Sequence, residues 1–220
     1  MLKEKIQELS RKEMAYEFIK HKIINCEMKP GSDISEEELV RALGSSRTPV
    51  REALMSLKQE GFVNIFPRKG SFVTEVTLKE IQDIFEIRVI IETQVAKMIC
   101  GSISEKELIS FRNKFEQLDE SGYYHTAKDY FELDLEFHKR IVKSTENSYL
   151  IEFMNKIYDK DYRIRVITTT LLKDEKKRNK EEHINIINSI LEKDEEKIQE
   201  SFVNHIENTK RAALKIMLLD

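Results

Sequence analysis

The sequence predicts a mainly α-helical protein in two parts. An N-terminal winged helix-turn-helix with a small β-hairpin wing occupies residues 1–76, and an all-α helical bundle occupies residues 77–220. Three observations predict this. Six Gly and three Pro punctuate 220 residues, so loops are few. A helix, a turn, a second helix and two short β-like runs follow one another between Ser35 and Val76. From Thr77 onward the apolar residues recur at helical spacing.

Residues 10–25 read as a first helix, with Met14, Phe18, Ile19 and Ile23 in one stripe, and Lys29-Pro30-Gly31-Ser32 as a turn. Ser35 is a suitable N-cap for the next helix. Glu36, Glu37 and Glu38 set negative charge on the positive end of its dipole, and Glu38 completes a capping-box spacing. Leu39, Val40 and Leu43 form its buried face, and Gly44 can take the left-handed conformation that ends it. Ser45 or Ser46 caps the following helix, where Pro49 falls in the first turn at little cost. Val50, Ala53, Leu54 and Leu57 pack inward, which leaves Arg47, Thr48 and Arg51 on the exposed N-terminal part, the part of a recognition helix that reaches base edges. Two β-like runs follow, 62–66 and 71–76, joined by Pro67-Arg68-Lys69-Gly70 as a hairpin with a basic tip. A plain helical hairpin followed by a β-hairpin is the alternative, but caps, Gly, Pro, arginines and basic tip agree on a winged helix.

In the second part Thr77 caps a helix over 77–100, with Glu80 at capping-box spacing and Leu78, Ile81, Phe85, Ile91, Val95 and Met98 as its apolar face. Further helices are predicted over 104–120, 124–143, 147–171, 174–193 and 194–217. The charge-rich stretch from Lys173 to Lys180 reads as a solvated helix entry.

Three of the five histidines lie on apolar faces. Asp134 and His138 fall within the Tyr130, Leu133, Phe137, Ile141 stripe and, four apart, point the same way. His183 lies in line with Ile187, Ile190 and Leu191, and His205 with Ile198, Phe202, Ile206 and Thr209. A buried carboxylate is costly unless paired or metal-bound, so these four side chains converging would suit a divalent ion such as zinc or nickel. Taken singly, a histidine on an apolar face is more often a hydrogen-bonded core residue than a ligand. His21 and His125 do not join the set.

Net charge is −3, which does not advertise a polyanion binder. The first 76 residues hold 13 basic and 12 acidic side chains, the remainder 24 and 28. Positive charge on the head must therefore be local: Arg47, Arg51, Lys58, Arg68 and Lys69. Cys26 and Cys100 are far apart in sequence and not at a metal or redox spacing, as expected of reduced thiols in a cytoplasmic protein. No apolar run is long enough to span a membrane, and the N-terminus has no signal-peptide core.

Residues 10–76 resemble the DNA-binding domain of the GntR family of bacterial transcription regulators. The resemblance is carried by Glu38-Leu39, Gly44, the run Ser46-Arg47-Thr48-Pro49-Val50-Arg51-Glu52-Ala53-Leu54, Leu57 with Glu60-Gly61, and Gly70. It implies that Arg47 and Arg51 contact bases or phosphates, Thr48 a phosphate, and Gly70 the minor groove, with Arg68 and Lys69 beside it. Some relatives carry an arginine where this chain has Glu37, and a carboxylate there cannot bind phosphate. Residues 77–220 resemble the FCD effector domain of the FadR subfamily. The marks are Phe85-Glu86-Ile87-Arg88 with Ile91-Glu92, Phe137-His138 after Asp134, Glu182-His183, and His205. That resemblance implies a metal held by Asp134, His138, His183 and His205, with a small organic acid beside it. A full metal quartet points away from the long-chain acyl-CoA sensors of the subfamily. Arg88 is either the partner of the effector's carboxylate or an ion pair with Glu92, four residues on.

The resemblance thus implies a homodimeric, ligand-responsive regulator on a palindromic operator in double-stranded DNA, for which repression relieved by effector is the commoner arrangement. Two other functions fit the quartet: a metal-responsive repressor with no organic effector, and a metal-dependent hydrolytic enzyme. No nucleophile motif or placed general base supports the enzyme.

Overall fold

A computed structural model describes residues 10–99, 101–118, 127–168 and 173–219. Cys100 and His125 lie outside the described residues, as do the expected helix start at 124 and the ends at 100, 120 and 171. The chain divides into two compact units, with the boundary between Val76 and Thr77.

In the first unit α1 (Arg11–Ile24) starts at Ser10, which forms a full capping box with Glu13. Its buried side chains are Ala15, Ile19 and Ile23, whereas Met14 is exposed. A two-residue strand β1 (Asp33–Ile34) precedes α2 (Glu36–Leu43), whose first turn is capped by the Ser35 hydroxyl accepting from the Glu38 N–H. Gly44 ends α2 at φ 56°, the left-handed conformation expected. Ser46 is the N-cap of α3 (Arg47–Gln59) by its backbone but makes no side-chain cap bond. Strands β2 (Val63–Phe66) and β3 (Gly70–Val73) form the wing, and β1 adds to β3 to give an antiparallel sheet of order β1-β3-β2. Ile34 pairs with Ser71, so the chain enters Ser35 directly from the wing sheet. One core joins these elements: Ile19, Ile23, Leu39, Val50, Leu54, Leu57, Phe62 and Val73 are all buried. At its edge the Tyr16 hydroxyl and Lys20 Nζ both donate to Glu60, at 2.7 and 2.9 Å, and fasten α1 to the end of α3.

The second unit is all helical among the described residues: α4 (Leu78–Met98), α5 (Glu105–Gln117), α6 (Ala127–Lys143), α7 (Ser148–Ile167), α8 (Lys173–Glu192) and α9 (Glu195–Met217). Thr77, Ser104, Asn147 and Asp194 each accept an N-terminal N–H as caps. The expected capping box at Thr77 is only half made, because the Glu80 carboxylate is taken by Lys160. α4 packs along α9 and also meets α6 and α7, while α8 lies between α5 and α9. The buried face of α4 differs from the expected one. It runs through Ile81, Ile84, Phe85, Arg88, Glu92, Val95 and Ala96, and Leu78 and Met98 are exposed on its flanks. Two charged residues occupy the centre of that face, a choice an apolar stripe cannot reveal. Among the described residues no helix is long and apolar enough to cross a membrane.

Candidate metal centre and nucleic-acid surface

The bundle brings four ligand-type side chains together from three helices. α6 supplies Asp134 and His138 one turn apart, α8 supplies His183 and α9 supplies His205; all four are buried, and one donor atom of each lies within 4.8 Å of the others. His138 Nε2 stands 3.3 Å from His205 Nε2 and 3.6 Å from Asp134 Oδ1. His183 Nε2 stands 3.2 Å from Asp134 Oδ2, and His205 Nε2 3.9 Å from it.

The other ring nitrogen of each histidine is held from outside. His138 Nδ1 donates to Glu92 Oε2 at 2.5 Å, His205 Nδ1 to Glu182 Oε2 at 3.0 Å, and His183 Nδ1 to the Asn179 carbonyl at 2.7 Å. Carboxylates and carbonyls accept only, so each imidazole keeps its proton on Nδ1 and turns an Nε2 lone pair inward. Three lone pairs and a carboxylate facing one another repel unless a cation lies among them. The donor set therefore fits a divalent ion of the zinc or nickel kind. Phe115 stacks on the His183 ring at 4.4 Å between centroids and makes one wall apolar.

A charged lattice backs the quartet. Arg165 on α7 donates from Nη1 to Asp134 Oδ2 and from Nε to Asp161 Oδ2, both at 2.9 Å. Arg88 on α4 donates from Nη1 to Asp161 Oδ2 at 2.8 Å and from Nε to Glu92 Oε1 at 2.7 Å. The lattice so runs from Asp134 through Arg165, Asp161, Arg88 and Glu92 to His138. Both functions weighed for Arg88 bear on its position: it does pair with Glu92, it is fully buried, and its Nη2 has no hydrogen-bond partner among the described residues. Burial alone would raise the Asp134 carboxyl, but Arg165 and His183 hold it well below the usual carboxylate range. Glu92 is likewise pushed up by burial and brought down to about 2 by Arg88 and His138. Burial lowers His138 against the pull of Glu92, and burial with the neighbouring His183 pushes His205 well below the usual imidazole value.

The sequence singled out the four inner ligands and Arg88. It did not single out Arg165, Asp161 and Glu182 as part of the centre, and it treated Glu92 only as a partner for Arg88. The one signal for Asp161 and Arg165 was their spacing, four apart beside the buried Tyr158 and Ile164 of α7.

On the first unit Arg47, Thr48 and Arg51 are exposed on the first turns of α3, and Arg68, Lys69 and Gly70 are exposed at the wing tip. Arg51 Nε donates to Glu36 Oε2 at 2.8 Å, and Arg47 Nη2 to Glu37 Oε1 at 3.1 Å. The carboxylate at position 37 thus faces an arginine. Lys12 of α1 shares a hollow with Thr48, Arg51 and Met55, and adds a cation to this face that the sequence did not single out.

Comparison with known proteins agrees with both units. Residues 11–73 match the family described as bacterial regulatory proteins, gntR family, and residues 83–208 match the FCD domain. The Nta operon transcriptional regulator of Aminobacter aminovorans is 28% identical over 84% of this chain and 85% of its own length. Among solved structures, E. coli McbR/YncC superposes with a TM-score of 0.78 at 19% identity, covering 94% of this chain and 98% of that one. A zinc-bound FCD domain of TM0439 superposes with a TM-score of 0.56 at 18% identity, over 66% of this chain and 99% of that one. These two likenesses are of fold. With its helix-turn-helix head matched by the gntR model and more than half its length matched by the FCD model, the chain belongs to the gntR family of bacterial regulatory proteins, in its FCD-containing form.

Proposed function

We propose that this chain is a homodimeric transcription regulator of the FadR type whose bundle binds a divalent metal and, beside it, a small carboxylate metabolite that changes its affinity for operator DNA. The observation that carries the metal is the convergence of three inward Nε2 atoms on the Asp134 carboxylate, each ring fixed from behind. The zinc in the FCD domain of TM0439 supports the same assignment. Asp134, His138, His183 and His205 would hold the ion, which would supply a positive centre there when bound.

An open guanidinium donor supports a carboxylate. The connected lattice holds three carboxylates (Glu92, Asp134, Asp161) and two guanidiniums (Arg88, Arg165). With neutral histidines, a dication and the Glu182 carboxylate behind His205 these charges sum to zero, so the support for an effector carboxylate is a donor left open to it. Arg88 Nη2 offers a donor for it. Arg47, Thr48, Arg51, Arg68, Lys69 and Gly70 form the DNA-facing set in this proposal. Exposed Ile90 and Met98 on α4 and Tyr149 and Phe153 on α7 offer apolar surface to a second copy. The effector can shift operator affinity only by its differential affinity for the two states, a coupling of about 1–3 kcal/mol in typical cases.

The test combines metal analysis with a thermal-shift screen of carboxylates, with and without added zinc or nickel. The expected result is about one ion per chain in the parent, none in the His138→Ala/His183→Ala variant, and a carboxylate-dependent shift only when metal is present. One equivalent of metal retained by the double variant rejects the site; a shift from metal alone favours a metal-responsive regulator. Gel shifts on a selected duplex with any carboxylate that scores then give the sign of regulation.

A further inference from the structure

We infer that Glu36 and Glu37 are specificity-determining positioning residues of the DNA surface: they buttress Arg51 and Arg47 for reading guanine edges and penalise their use on phosphate. This rests on the DNA-binding function proposed above. Both acids stand on the first turn of α2, fixed by the Ser35 cap, and Ser35 follows a strand paired to the wing. Arg51 gives its Nε–H to Glu36. Its remaining parallel donors are the two Nη groups at the end of the guanidinium, the pair that fits O6 and N7 of guanine in the major groove. Arg47 gives one Nη2 hydrogen to Glu37 and keeps its other donors.

Arg51 therefore arrives with a carboxylate behind its Nη pair, and Arg47 with one beside its Nη2. A phosphate approaching either arginine meets a second full negative charge, whereas the guanine edge is neutral. Pairing with the acid thus biases the arginine from backbone toward base. The low surplus of positive charge on the head, 13 basic against 12 acidic residues, fits a surface that gains little from indiscriminate phosphate contact. Both arginines and Glu37 are mostly exposed. Exposed pairs contribute little to stability, so fold maintenance does not account for the arrangement.

A selection from randomised duplexes with the full-length parent defines its preferred site. Binding of that duplex, of single-base variants and of an unrelated duplex is then measured across a salt series. Glu36→Gln keeps an acceptor for Arg51 but removes the charge, and unrelated duplex should bind about 2–5-fold tighter. Glu36→Ala removes the buttress as well, and preference for guanine at the base lost in Arg51→Ala should fall about tenfold, the order of one bidentate contact weakened. Glu37→Ala should do the same at the Arg47 base. Thermal melting confirms that each variant folds. Parent-like guanine preference in both alanine variants overturns the inference while leaving DNA binding intact. A parent that enriches no sequence overturns the DNA-binding function itself, and this inference with it.

Discussion

Glu92 serves two neighbours with one carboxylate: Oε1 takes Arg88 and Oε2 takes the Nδ1 proton of His138. Glu92→Gln would leave Arg88 half-compensated in a dry site and loosen the ring that must aim Nε2 inward. Loss of one partner of a buried pair costs about 3–5 kcal/mol, and loss of an outer hydrogen bond to a ligand histidine costs about 10–100-fold in metal affinity. Denaturant unfolding and chelator competition measure the two effects separately; a variant as stable as the parent would show that the lattice is not under this constraint. The four inner ligands were legible because polar residues on apolar stripes stand out. The pairing of Glu92 with Arg88 was legible too, but its hold on His138 and the place of Arg165 were not, because the i,i+4 spacings Arg88–Glu92 and Asp161–Arg165 are also those of exposed pairs such as Lys79–Asp83 and Lys156–Glu152. Only tertiary packing separates a solvated pair from a buried one.

At the scale of elements, local chemistry set most boundaries. Ser10, Ser35, Thr77, Ser104, Asn147 and Asp194 all cap the helices they precede. Gly44 ends α2 in the left-handed region, and a Cβ added there would meet no heavy atom within 4 Å. Gly44→Ala should therefore cost only backbone strain, about 1–2 kcal/mol, with no steric clash. A loss well above that in chemical unfolding would point to crowding at the turn. The strand β1 was not legible, since two residues carry no periodicity and are strand only because β3 templates them. Met14, Leu78 and Met98 were assigned inward by spacing; they lie at the margins of stripes whose centres are fixed by Ala15 on α1 and by the Arg88–Glu92 pair on α4.

For the whole molecule, acid should weaken the bundle. His138 and His205 titrate below their usual 6.5 in the fold, so below that pH the unfolded chain binds protons that the native bundle refuses, and stability falls as pH drops. Glu92, held at about 2 against an ordinary 4.5, adds a further loss as pH falls between those values. Chelator-treated protein should therefore melt at a lower temperature at about pH 5 than at about pH 7.5; an unchanged midpoint would contradict neutral buried imidazoles. Metal at about 100 times its Kd should raise stability by about 2.7 kcal/mol, visible as a higher melting temperature that depends on metal concentration. The donors of the quartet are spread along the chain from Asp134 to His205, on three helices. A partly assembled bundle cannot offer the ion all four at once, so capture comes after the rate-limiting step of folding. Loaded protein should then refold at the speed of stripped protein and unfold far more slowly, so that the ion acts as a lock on the way out and leaves the way in unchanged.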